Sequence, residues 1–474
     1  MRGPGRAENG RPRLLLVFPQ KKTFYGFAPP LGLAYIAAAT PGHWDVEILD
    51  ESSGPGDYLK RKPDLVGISA MTVQATRAYR IAAHFKTRGI PVVMGGIHPS
   101  MCPDEALAHV DTVVSGEGEE IWPRVIGDFE AGRMARFYRA ETPVDLERLV
   151  RPRRDLFPRR RLVDVLQTAR GCPFDCSFCA VSTFNGRLFR LRPVDDVLDE
   201  IRSLPKRIVM FNDDNLIGSG PAHRERAAAL FEGMIRSGTR KRWVSQASVN
   251  VADDERILRL MKASGCAGLL IGFESLDPET LNRMGKAANL KRGEPALFYR
   301  EVIRKLHRHG IAVLGFLITD PAEGREAILR QIAFIRSSGV DLINYPVLTP
   351  FPGTRLYAEK KDSIFYNHYP SDWDAYDRGR LVFPSRLPPA EFYALREWMT
   401  RDANSVRRAM ERGWRCLVYS KSPGFASAVL ALNLVQTRLP RNDVRIYREE
   451  MRRLSARPNP GPSPDCIPPG SRLN

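Results

Sequence analysis

Cysteine is scarce in this sequence, with 7 residues among 474, and most of them stand alone. This scarcity excludes a small disulfide-bonded scaffold and fits a reducing compartment. One close group occurs between residues 172 and 179, but no second Cys or His pair follows it, which disfavours the common kind of zinc site. The isolated cysteines are Cys102, Cys266, Cys416 and Cys466.

Long apolar runs are also missing. The run at 14–18 is too short for the apolar region of a secretory signal, and the longest apolar stretch elsewhere, 425–435, is about half of a membrane span. We therefore expect a cytoplasmic protein without a transmembrane segment. Peripheral contact with a membrane surface stays open.

Acidic residues are outnumbered, since 72 Lys and Arg face 54 Asp and Glu and give a formal net charge of +18. This excess favours acidic partners such as nucleic acid, an anionic membrane surface or phosphorylated substrates. An arginine-rich composition inherited from a GC-rich genome would give the same number without functional meaning. Charge alone therefore selects no function.

The first third of the chain alternates apolar strands with helical stretches, which predicts a doubly wound parallel sheet with both faces covered. No G-x-G-x-x-G follows the first strand, so a dinucleotide is disfavoured. Glycines at the strand ends leave room for a large planar or phosphate-bearing ligand, or they serve turns only, as in a flavodoxin-like module. The predicted strands are 13–18, 44–49, 64–69, 91–96 and 112–116, with helices at 31–39 and 76–87.

Three cysteines at C-x3-C-x2-C spacing lie in the segment Arg-Gly-Cys-Pro-Phe-Asp-Cys-Ser-Phe-Cys, residues 170–179. Thiolates are the ligands of iron–sulfur clusters, and a cluster held entirely by protein takes four of them. Cys172, Cys176 and Cys179 supply three, so one iron would stay open for a substrate or cofactor if no distant cysteine fills it. Ordinary cysteines, or three ligands of a zinc site, are the alternatives.

This spacing, with an aromatic residue before the last cysteine, resembles the radical S-adenosylmethionine superfamily. The resemblance implies that Cys172, Cys176 and Cys179 bind a 4Fe-4S cluster and that Phe178 packs beside the cofactor. In that superfamily the open iron chelates the amino and carboxylate groups of S-adenosylmethionine. Electron transfer from the cluster then gives a 5′-deoxyadenosyl radical.

The middle of the chain alternates strand and helix again, and six repeats predict a partial (β/α)6 barrel of the TIM type. Functional residues of such a barrel lie at the carboxyl ends of its strands. Polar residues do follow the predicted strands, although Asp213 and Asp214 would also suit a helix cap. The predicted strands are 163–168, 207–211, 243–247, 268–273, 312–318 and 342–347, and the helices are 194–203, 224–236, 253–264, 278–284, 298–309 and 322–337.

The same strand-end motifs occur in the same order in the superfamily. The resemblance therefore implies a set of S-adenosylmethionine contacts: Asp213, Asp214 and Asn215 near the amino group, Gln246, Ser248 and Glu274 near the ribose and carboxylate, and the turn from Thr349 to Thr354 over the adenine. The loop after the fifth strand, 315–321, departs from the family pattern. We expect an altered substrate or adenine contact there.

The N-terminal strand ends resemble the cobalamin-binding domain that is fused to many radical S-adenosylmethionine enzymes. The segments that carry this resemblance are 29–33 (Pro-Pro-Leu-Gly-Leu), 67–69 (Gly-Ile-Ser), 95–98 (Gly-Gly-Ile-His) and 116–119 (Gly-Glu-Gly-Glu). It implies cobalamin contacts at Ser69, Met71, Thr72, Gln74, Gly95, Gly96, His98, Gly116 and Glu117.

One signature of other cobalamin proteins is absent. No D-x-H-x-x-G, whose histidine ligates cobalt, follows the first strand, where residues 19–26 read Pro-Gln-Lys-Lys-Thr-Phe-Tyr-Gly. We therefore expect a base-off cobalamin without a histidine from that motif. His98 is interpreted as a hydrogen-bonding residue of the pocket wall, with cobalt ligation as the alternative.

These patterns divide the chain into five segments: 1–140, a cobalamin-binding-like domain; 141–161, a linker rich in Pro and Arg; 162–355, the core barrel; 356–457, a helical region expected to cover the substrate; and 458–474, a disordered tail. Helices of the fourth segment are predicted at 389–403, 405–412, 425–435 and 441–457. Its aromatic residues are expected mainly in the core.

The resemblance implies an enzyme that uses a 4Fe-4S cluster, S-adenosylmethionine and cobalamin, with an external electron donor of flavodoxin or ferredoxin type. The commonest reaction of the family is methyl transfer to an unactivated carbon of a small molecule, and oxidative cyclisation or rearrangement is the alternative. A tRNA methylthiotransferase would suit the basic charge. However, Cys102 stands alone where that family carries a second cluster, and the C-terminal part reads as helical, so no nucleic-acid partner is expected.

Overall fold

The computed structural model describes residues 10–20, 29–51, 61–158, 161–291, 293–438, 445–450 and 452–453. The expected tail at 458–474 and most of the loop at 19–26 lie outside the described residues. The expected helix at 441–457 is described in part, and residues 445–450 of it are helical.

The first α/β unit is a parallel sheet whose strand order, within the described residues, is β2-β1-β3-β4-β5-β6. The inner strand β1 is buried on both faces, as a parallel sheet covered by helices requires. The doubly wound sheet is thus confirmed, with β6 as an additional short strand. The strands are β1 (Arg13–Phe18), β2 (Asp45–Asp50), β3 (Leu65–Ser69), β4 (Val92–Gly95), β5 (Thr112–Ser115) and β6 (Phe137–Arg139), and the helices are α1 (Leu31–Ala39), α2 (Ala75–Lys86), α3 (Ile97–Met101), α4 (Pro103–His109) and α5 (Trp122–Glu130).

A hairpin that was not predicted follows β7 (Val163–Leu166). Its strands β8 (Ala169–Gly171) and β9 (Phe189–Leu191) are antiparallel, and the connection between them carries the three clustered cysteines and α6 (Ala180–Phe184). Gly171 has φ +84°, and a Cβ atom there would lie 2.0 Å from the carbonyl oxygen of Leu188. Only glycine fits this position.

The second α/β unit is a parallel sheet with the order β14-β13-β12-β11-β10-β7. Neighbouring strands follow one another in the chain, with β7 and β14 at the two edges, so the predicted partial barrel of six strands is confirmed. The remaining strands are β10 (Ile208–Phe211), β11 (Arg242–Ala247), β12 (Cys266–Glu274), β13 (Ala312–Leu317) and β14 (Leu342–Asn344). The helices are α7 (Val194–Ser203), α8 (Pro221–Arg236), α9 (Glu255–Ala263), α10 (Pro278–Arg283), α11 (Pro295–Arg308) and α12 (Arg325–Ser337).

The C-terminal region is helical, as predicted, with α13 (Arg355–Lys360), α14 (Pro389–Ala403), α15 (Val406–Ser420) and α16 (Pro423–Gln436). Helix α15 runs eight residues beyond its predicted end at 412, and its buried positions are Ala409, Arg412, Gly413 and Cys416. In the part of the chain that the structure describes, no helix is long and apolar enough to cross a membrane.

The segment between α13 and α14 returns to the first sheet. Ile364, Tyr366, Trp373 and Tyr376 are buried in one core with residues of α2 such as Phe85. This part of the expected covering region therefore packs on the first α/β unit, where its large aromatic side chains are buried.

Candidate active site

A cavity of about 350 Å³ lies between the two α/β units. The carboxyl ends of parallel strands are where ligands bind in both kinds of sheet. The first unit contributes Ser69, Gly95, Gly96, Gly116 and Glu117 to its wall, together with the first turn of α1; the second contributes Gln167, Arg170, Asn212 and Asp214. One space is therefore shared by the two regions in which cofactor contacts were predicted.

Two glycines shape the floor of this cavity. Gly96 has φ +102°, and a Cβ atom would lie 2.9 Å from the carbonyl oxygen of Ala70. Gly116 has φ +88°, with Ala140 3.1 Å from the position of its Cβ. These turns need glycine, and they leave backbone rather than side chains at the ends of β4 and β5.

Four residues expected at the cobalamin do not line this cavity: Met71, Thr72, Gln74 and His98. The ring of His98 is fully buried, its Nε2 lies 2.9 Å from the hydroxyl of Tyr79, and it packs edge-on against Trp373 with 5.1 Å between ring centroids. The amide oxygen of Gln74 accepts a hydrogen bond from the Met71 backbone at 2.8 Å. His98 thus joins α2 to the returning C-terminal segment and does not face the space where a cobalt ligand would be needed.

The cysteine loop is held by two other segments of the second unit. Its Ser177 donates a backbone hydrogen bond to Met284 at 3.0 Å and accepts one from Leu356 at 3.0 Å. Gly285, at φ +73°, allows close approach, since a Cβ atom there would lie 2.6 Å from the carbonyl oxygen of Asp175. Phe178 packs against an apolar cluster made of Met284, Ile318, Leu348, Leu356 and Phe383. The loop is therefore fixed in place by protein contacts.

The three thiols share a buried setting. Burial raises the pKa of Cys176 to about 12, and it also raises the pKa of Cys172 and of Cys179. The charges of Cys172 and Cys179 act on Cys176 in the same direction, while the ammonium group of Lys286 acts against it. The three sulfur atoms are thus close enough to influence one another.

The three thiols suit an iron–sulfur cluster better than a single metal ion. Within the described ranges, no three His, Cys, Asp or Glu side chains are arranged to hold a single metal ion. A cluster makes a different demand, because each thiolate binds its own iron at a separate corner of a cube. Three thiols on one fixed loop, beside a cation that favours the ionised form of two of them, fit that demand.

Lys286 was not predicted as a site residue. Its Nζ lies 2.8 Å from the carboxylate of Glu274, and burial opposes its charge while Glu274 and Cys176 raise its pKa. Glu274 itself has φ +63°, an uncommon conformation for a residue with a side chain. The only sequence signal for Lys286 is its place directly after Gly285, where a predicted helix ends.

The polar residues that follow β10 have different roles. Asp213 is fully buried and accepts hydrogen bonds from the Thr168 backbone and hydroxyl, both at 2.6 Å, and from the backbone of Ala169 at 3.2 Å. It thereby fixes the start of the β8–β9 hairpin, and it does not cap a helix. Asp214 lines the cavity, and burial raises its pKa to about 6.

The remaining predicted S-adenosylmethionine residues lie around these polar residues. Asn215 donates to the hydroxyl of Ser248 at 3.0 Å, and its amide nitrogen lies 3.9 Å from the sulfur of Cys172. Thr349 is buried and donates to the carbonyl oxygen of Val347 at 3.0 Å. Gln246 is half-buried at the end of β11. Of the predicted set, Asp214 alone borders the described cavity.

Arg170 is a second residue that sequence reasoning missed. Its guanidinium lies 3.4 Å from the carboxylate of Glu117 and 2.5 Å from that of Glu119, and it covers the ring of Tyr35 at 5.3 Å. Glu117 also accepts from Arg190 of β9 at 2.9 Å. These contacts join the cysteine hairpin to the loop after β5. The residues are visible in the sequence, but their pairing is not.

Comparison with known proteins gives two family matches: the B12 binding domain at residues 21–126 and the Radical SAM superfamily at residues 166–351. The chain is 33% identical over 405 residues to bacteriochlorophyllide d C-12(1)-methyltransferase of Chlorobaculum tepidum, covering 80% of this chain and 84% of the relative. It is 27% identical to hopanoid C-2 methylase of Rhodopseudomonas palustris, covering 74% and 71%.

Among solved structures, the methyltransferase TsrM of Kitasatospora setae, with cobalamin and a 4Fe-4S cluster bound, matches with a TM-score of 0.66 at 16% identity, covering 91% of this chain and 99% of that one. At this identity the match concerns the fold, which is the same succession of two α/β units. The chain belongs to the radical S-adenosylmethionine superfamily, in the branch whose members carry an N-terminal B12-binding domain.

Proposed function

We propose that this enzyme is a cobalamin-dependent radical S-adenosylmethionine C-methyltransferase that acts on an unactivated carbon of a large, mostly apolar, polycyclic molecule. The observation that carries the proposal is the cavity bounded by the strand ends of both α/β units. Methyl transfer between two cofactors requires a common space from which both reach the substrate. The relatives favour this reaction over oxidative cyclisation, rearrangement and tRNA methylthiolation.

The cofactors are a 4Fe-4S cluster, S-adenosylmethionine and cobalamin. When bound, the cluster and S-adenosylmethionine supply the radical chemistry that removes a hydrogen atom, and cobalamin supplies the methyl group. Cys172, Cys176 and Cys179 would hold the cluster, and Lys286 would favour the thiolate forms of Cys172 and Cys176. Ser69, Gly95, Gly96 and Gly116 would border the corrin ring.

Asp214 is the best placed acceptor for the ammonium group of S-adenosylmethionine. It lies at the boundary of the cavity and accepts a hydrogen bond from the Gly171 backbone at 3.2 Å, directly before the first cysteine. With a pKa of about 6 it is mainly ionised at neutral pH, so it can pair with a cation. Asp213, Asn215, Ser248 and Glu274 would act through positioning, because their polar atoms already hold the surrounding loops.

Apolar side chains of both units complete the wall of the cavity. They include Ile36, Ile97 and Val114 of the first unit, and Val181 and Phe184 of α6. An unactivated carbon has no acidic proton, so the protein's contribution is to orient it and to keep competing reactants away. An apolar substrate suits such a wall.

The substrate class is supported by the relatives. The two curated relatives named above act on a bacteriochlorophyllide and on a hopanoid, which are both large, rigid and mostly apolar. We propose an acidic one-electron carrier of flavodoxin or ferredoxin type as the electron donor, since the net charge of +18 would attract it.

The test is an anaerobic assay with iron, sulfide and hydroxocobalamin supplied to the protein, followed by S-adenosylmethionine, a reductant and bacteriochlorophyllide d or a hopanoid. Mass spectrometry should detect 5′-deoxyadenosine, S-adenosylhomocysteine and a substrate heavier by one methylene group. The Asp214→Asn variant should require more S-adenosylmethionine for half-maximal rate, whereas Cys266→Ala, far from the site in β12, should not. 5′-Deoxyadenosine alone with cobalamin retained would point to an oxidative or rearrangement enzyme, and neither product without retained cobalamin would overturn the proposal.

A further inference from the structure

The hairpin of α15 and α16 presents an apolar face to solvent. On α15, Val406, Met410, Trp414 and Val418 recur every four residues along one side, and Trp414 is 69% exposed. On α16, the exposed positions include Leu432, Leu434 and Val435. The two helices pack closely, since a Cβ atom at Gly413 would lie 3.1 Å from Cβ of Leu430. Their exposed apolar side chains thus belong to one compact unit.

The inward side of the same hairpin combines small or apolar residues, such as Cys416, Ala426 and Val429, with buried polar groups. Arg412 is buried and donates to the carbonyl oxygen of Ala403 at 2.9 Å and to the amide oxygen of Asn433 at 2.8 Å. Asn433 in turn donates to the carbonyl oxygen of Asp341 at 2.9 Å. Hydrogen bonds therefore help to anchor the hairpin to the barrel, while Leu432, Leu434 and Val435 of α16 stay exposed.

Basic residues surround the apolar face. The 14 residues of α16 include no charged residue, and Lys421 precedes the helix while Arg438 follows it. On α15, Arg407 lies beside the apolar row and pairs with Glu411, the one acidic residue of the helix, at 2.9 Å. Arg415 donates to the carbonyl oxygen of Val340 at 3.0 Å and so faces the barrel. Apolar side chains with Trp among them, flanked by Lys and Arg, are typical of helices that lie in a membrane interface.

We propose that the α15–α16 hairpin docks on the surface of an anionic lipid bilayer, with its apolar face at the boundary between headgroups and acyl chains. At about 1.5 Å per residue, α16 is about 21 Å long and too short to span a hydrocarbon core of about 30 Å, so it lies along the surface. Vesicle binding needs no substrate, so this inference stands independently of the proposed reaction.

Two other occupants fit the face less well. A second copy of the chain would bring like-charged rims together, because Arg407, Lys421 and Arg438 would face their counterparts around a two-fold axis. The chain's own residues 454–474 contain only Leu454, Ile467 and Leu473 as large aliphatic residues and are otherwise rich in Pro, Ser and Gly. An anionic bilayer complements both the apolar face and the positive rim.

The test is flotation of the cofactor-loaded, full-length protein with vesicles of phosphatidylcholine, alone or mixed with phosphatidylglycerol. We expect binding to the mixed vesicles that weakens as salt is added, and a blue shift of tryptophan fluorescence on binding that disappears in Trp414→Phe. The triple variant Met410→Gln, Trp414→Gln and Leu434→Gln should lower the partition coefficient by roughly tenfold or more.

A matched control carries the same kind of change at exposed apolar positions elsewhere: Leu162→Gln, Ile208→Gln and Leu297→Gln. It should bind vesicles like the unchanged protein, and circular dichroism should report the same melting temperature for both triple variants. Failure of the unchanged protein to float with the mixed vesicles overturns the proposal. An equal loss of vesicle binding in the control variant also overturns it. So does a dimer, detected by analytical ultracentrifugation, that dissociates only in the hairpin variant.

Discussion

The guanidinium of Arg170 lies 2.5 Å from the carboxylate of Glu119, across the boundary between the two α/β units. Both side chains are at most about one tenth exposed, and both residues line the shared cavity. Arg170 precedes Gly171 and Cys172, so this ion pair ties the cysteine loop to the loop after β5. Together with the contact between Arg190 and Glu117, it joins the two cofactor regions.

Replacement of Arg170 by Ala should therefore affect methyl transfer and S-adenosylmethionine cleavage to different extents. Methyl transfer should fall more than S-adenosylmethionine cleavage, because the cysteine loop keeps its contacts with Met284 and Leu356 while one of the two ties between its hairpin and the loop after β5 is lost. The other tie, from Arg190 to Glu117, remains. Removing one partner of a buried ion pair should also lower the free energy of unfolding by about 3–5 kcal/mol. Urea unfolding and the ratio of 5′-deoxyadenosine to methylated product measure the two effects.

Arg256→Ala is the control for this variant, since Arg256 pairs with Glu225 at 2.9 Å on the exposed surface. It should change neither the urea midpoint nor the product ratio. An unchanged product ratio in Arg170→Ala would contradict the positioning role of Arg170.

Alanine at Cys172, Cys176 and Cys179 together should abolish the iron-dependent visible absorbance and the cleavage of S-adenosylmethionine. The expected cause is loss of all three thiolate ligands that the loop supplies. Cys416→Ala, a buried cysteine outside the loop, should keep both properties. Iron absorbance retained in the triple variant would refute the cluster assignment.

Cluster loading should also depend on pH. The pKa of Cys176 is raised to about 12, so its thiol is protonated at neutral pH and must lose a proton to bind iron. The apparent affinity for iron should therefore rise as pH is raised from 7 to 9. Lys286→Met removes the cation that opposes this pKa shift, and it should move the loading curve to higher pH; a curve that does not move would argue against this role.

Gly32 offers a test of the cobalamin region. It lies in the first turn of α1, borders the cavity, and has no atom within 4 Å of the position of a Cβ. Leucine at this position would project into open space beside the cavity and should reduce the cobalamin that stays bound through gel filtration, measured by its visible absorbance. Gly127→Leu in α5, where space is also open but the cavity is absent, should retain cobalamin like the unchanged protein.

Both glycine substitutions raise helix propensity by up to about 1 kcal/mol, so neither variant should be less stable than the unchanged protein. A difference in cobalamin retention would then report on the cavity and not on folding. Equal retention in the two variants would mean that this end of the cavity is not occupied by the corrin.

Glu105 predicts a pH dependence of stability far from the cysteine loop. Burial alone would raise its pKa, but hydrogen bonds with His98, Trp373 and Tyr79 outweigh burial and hold the pKa below the ordinary glutamate value. A carboxyl with a lowered folded-state pKa stabilises the protein above its ordinary pKa, and this contribution is lost as pH falls through the folded-state pKa. Acid should therefore weaken the attachment of the returning segment.

In Glu105→Gln, the free energy of unfolding should fall by about 1–2 kcal/mol at pH 7, and its decline between pH 5 and pH 3 should be shallower. Asp104→Asn, at the exposed neighbouring position of α4, serves as the control and should keep the steeper decline. Urea unfolding across this pH range, followed by tryptophan fluorescence, makes the comparison. Parallel curves for Glu105→Gln and the unchanged protein would contradict the role of this carboxyl.

The sequence predicts the features that are encoded locally. Apolar runs such as Leu14–Val17 identify buried parallel strands without knowledge of their neighbours, and the cysteine spacing identifies a cluster loop because all three ligands lie within eight residues. Strand β6 has only three residues, and β8 and β9 carry Arg170 and Arg190 at paired positions. None of these three strands therefore shows the apolar signal of a strand.

The side-chain partners could not be predicted from the sequence, for a different reason. The roles of Asp213, Lys286 and Arg170 depend on contacts with residues that lie 45, 12 and 51 positions away. Asp213 and Asp214 are adjacent and chemically identical in the sequence. However, Asp213 accepts hydrogen bonds from Thr168 and Ala169, whereas Asp214 borders the cavity. Only the fold distinguishes them.

The return of residues 364–376 to the first core has a consequence for how such enzymes diversify. Trp373 donates to the carboxylate of Glu105 at 2.8 Å, so the cobalamin-binding unit is completed by chain that is encoded after the barrel. Genetic exchange of the N-terminal part alone between two relatives would pack that unit against aromatic residues from a different protein. We therefore expect residues 364–376 and the first α/β unit to change together among related enzymes.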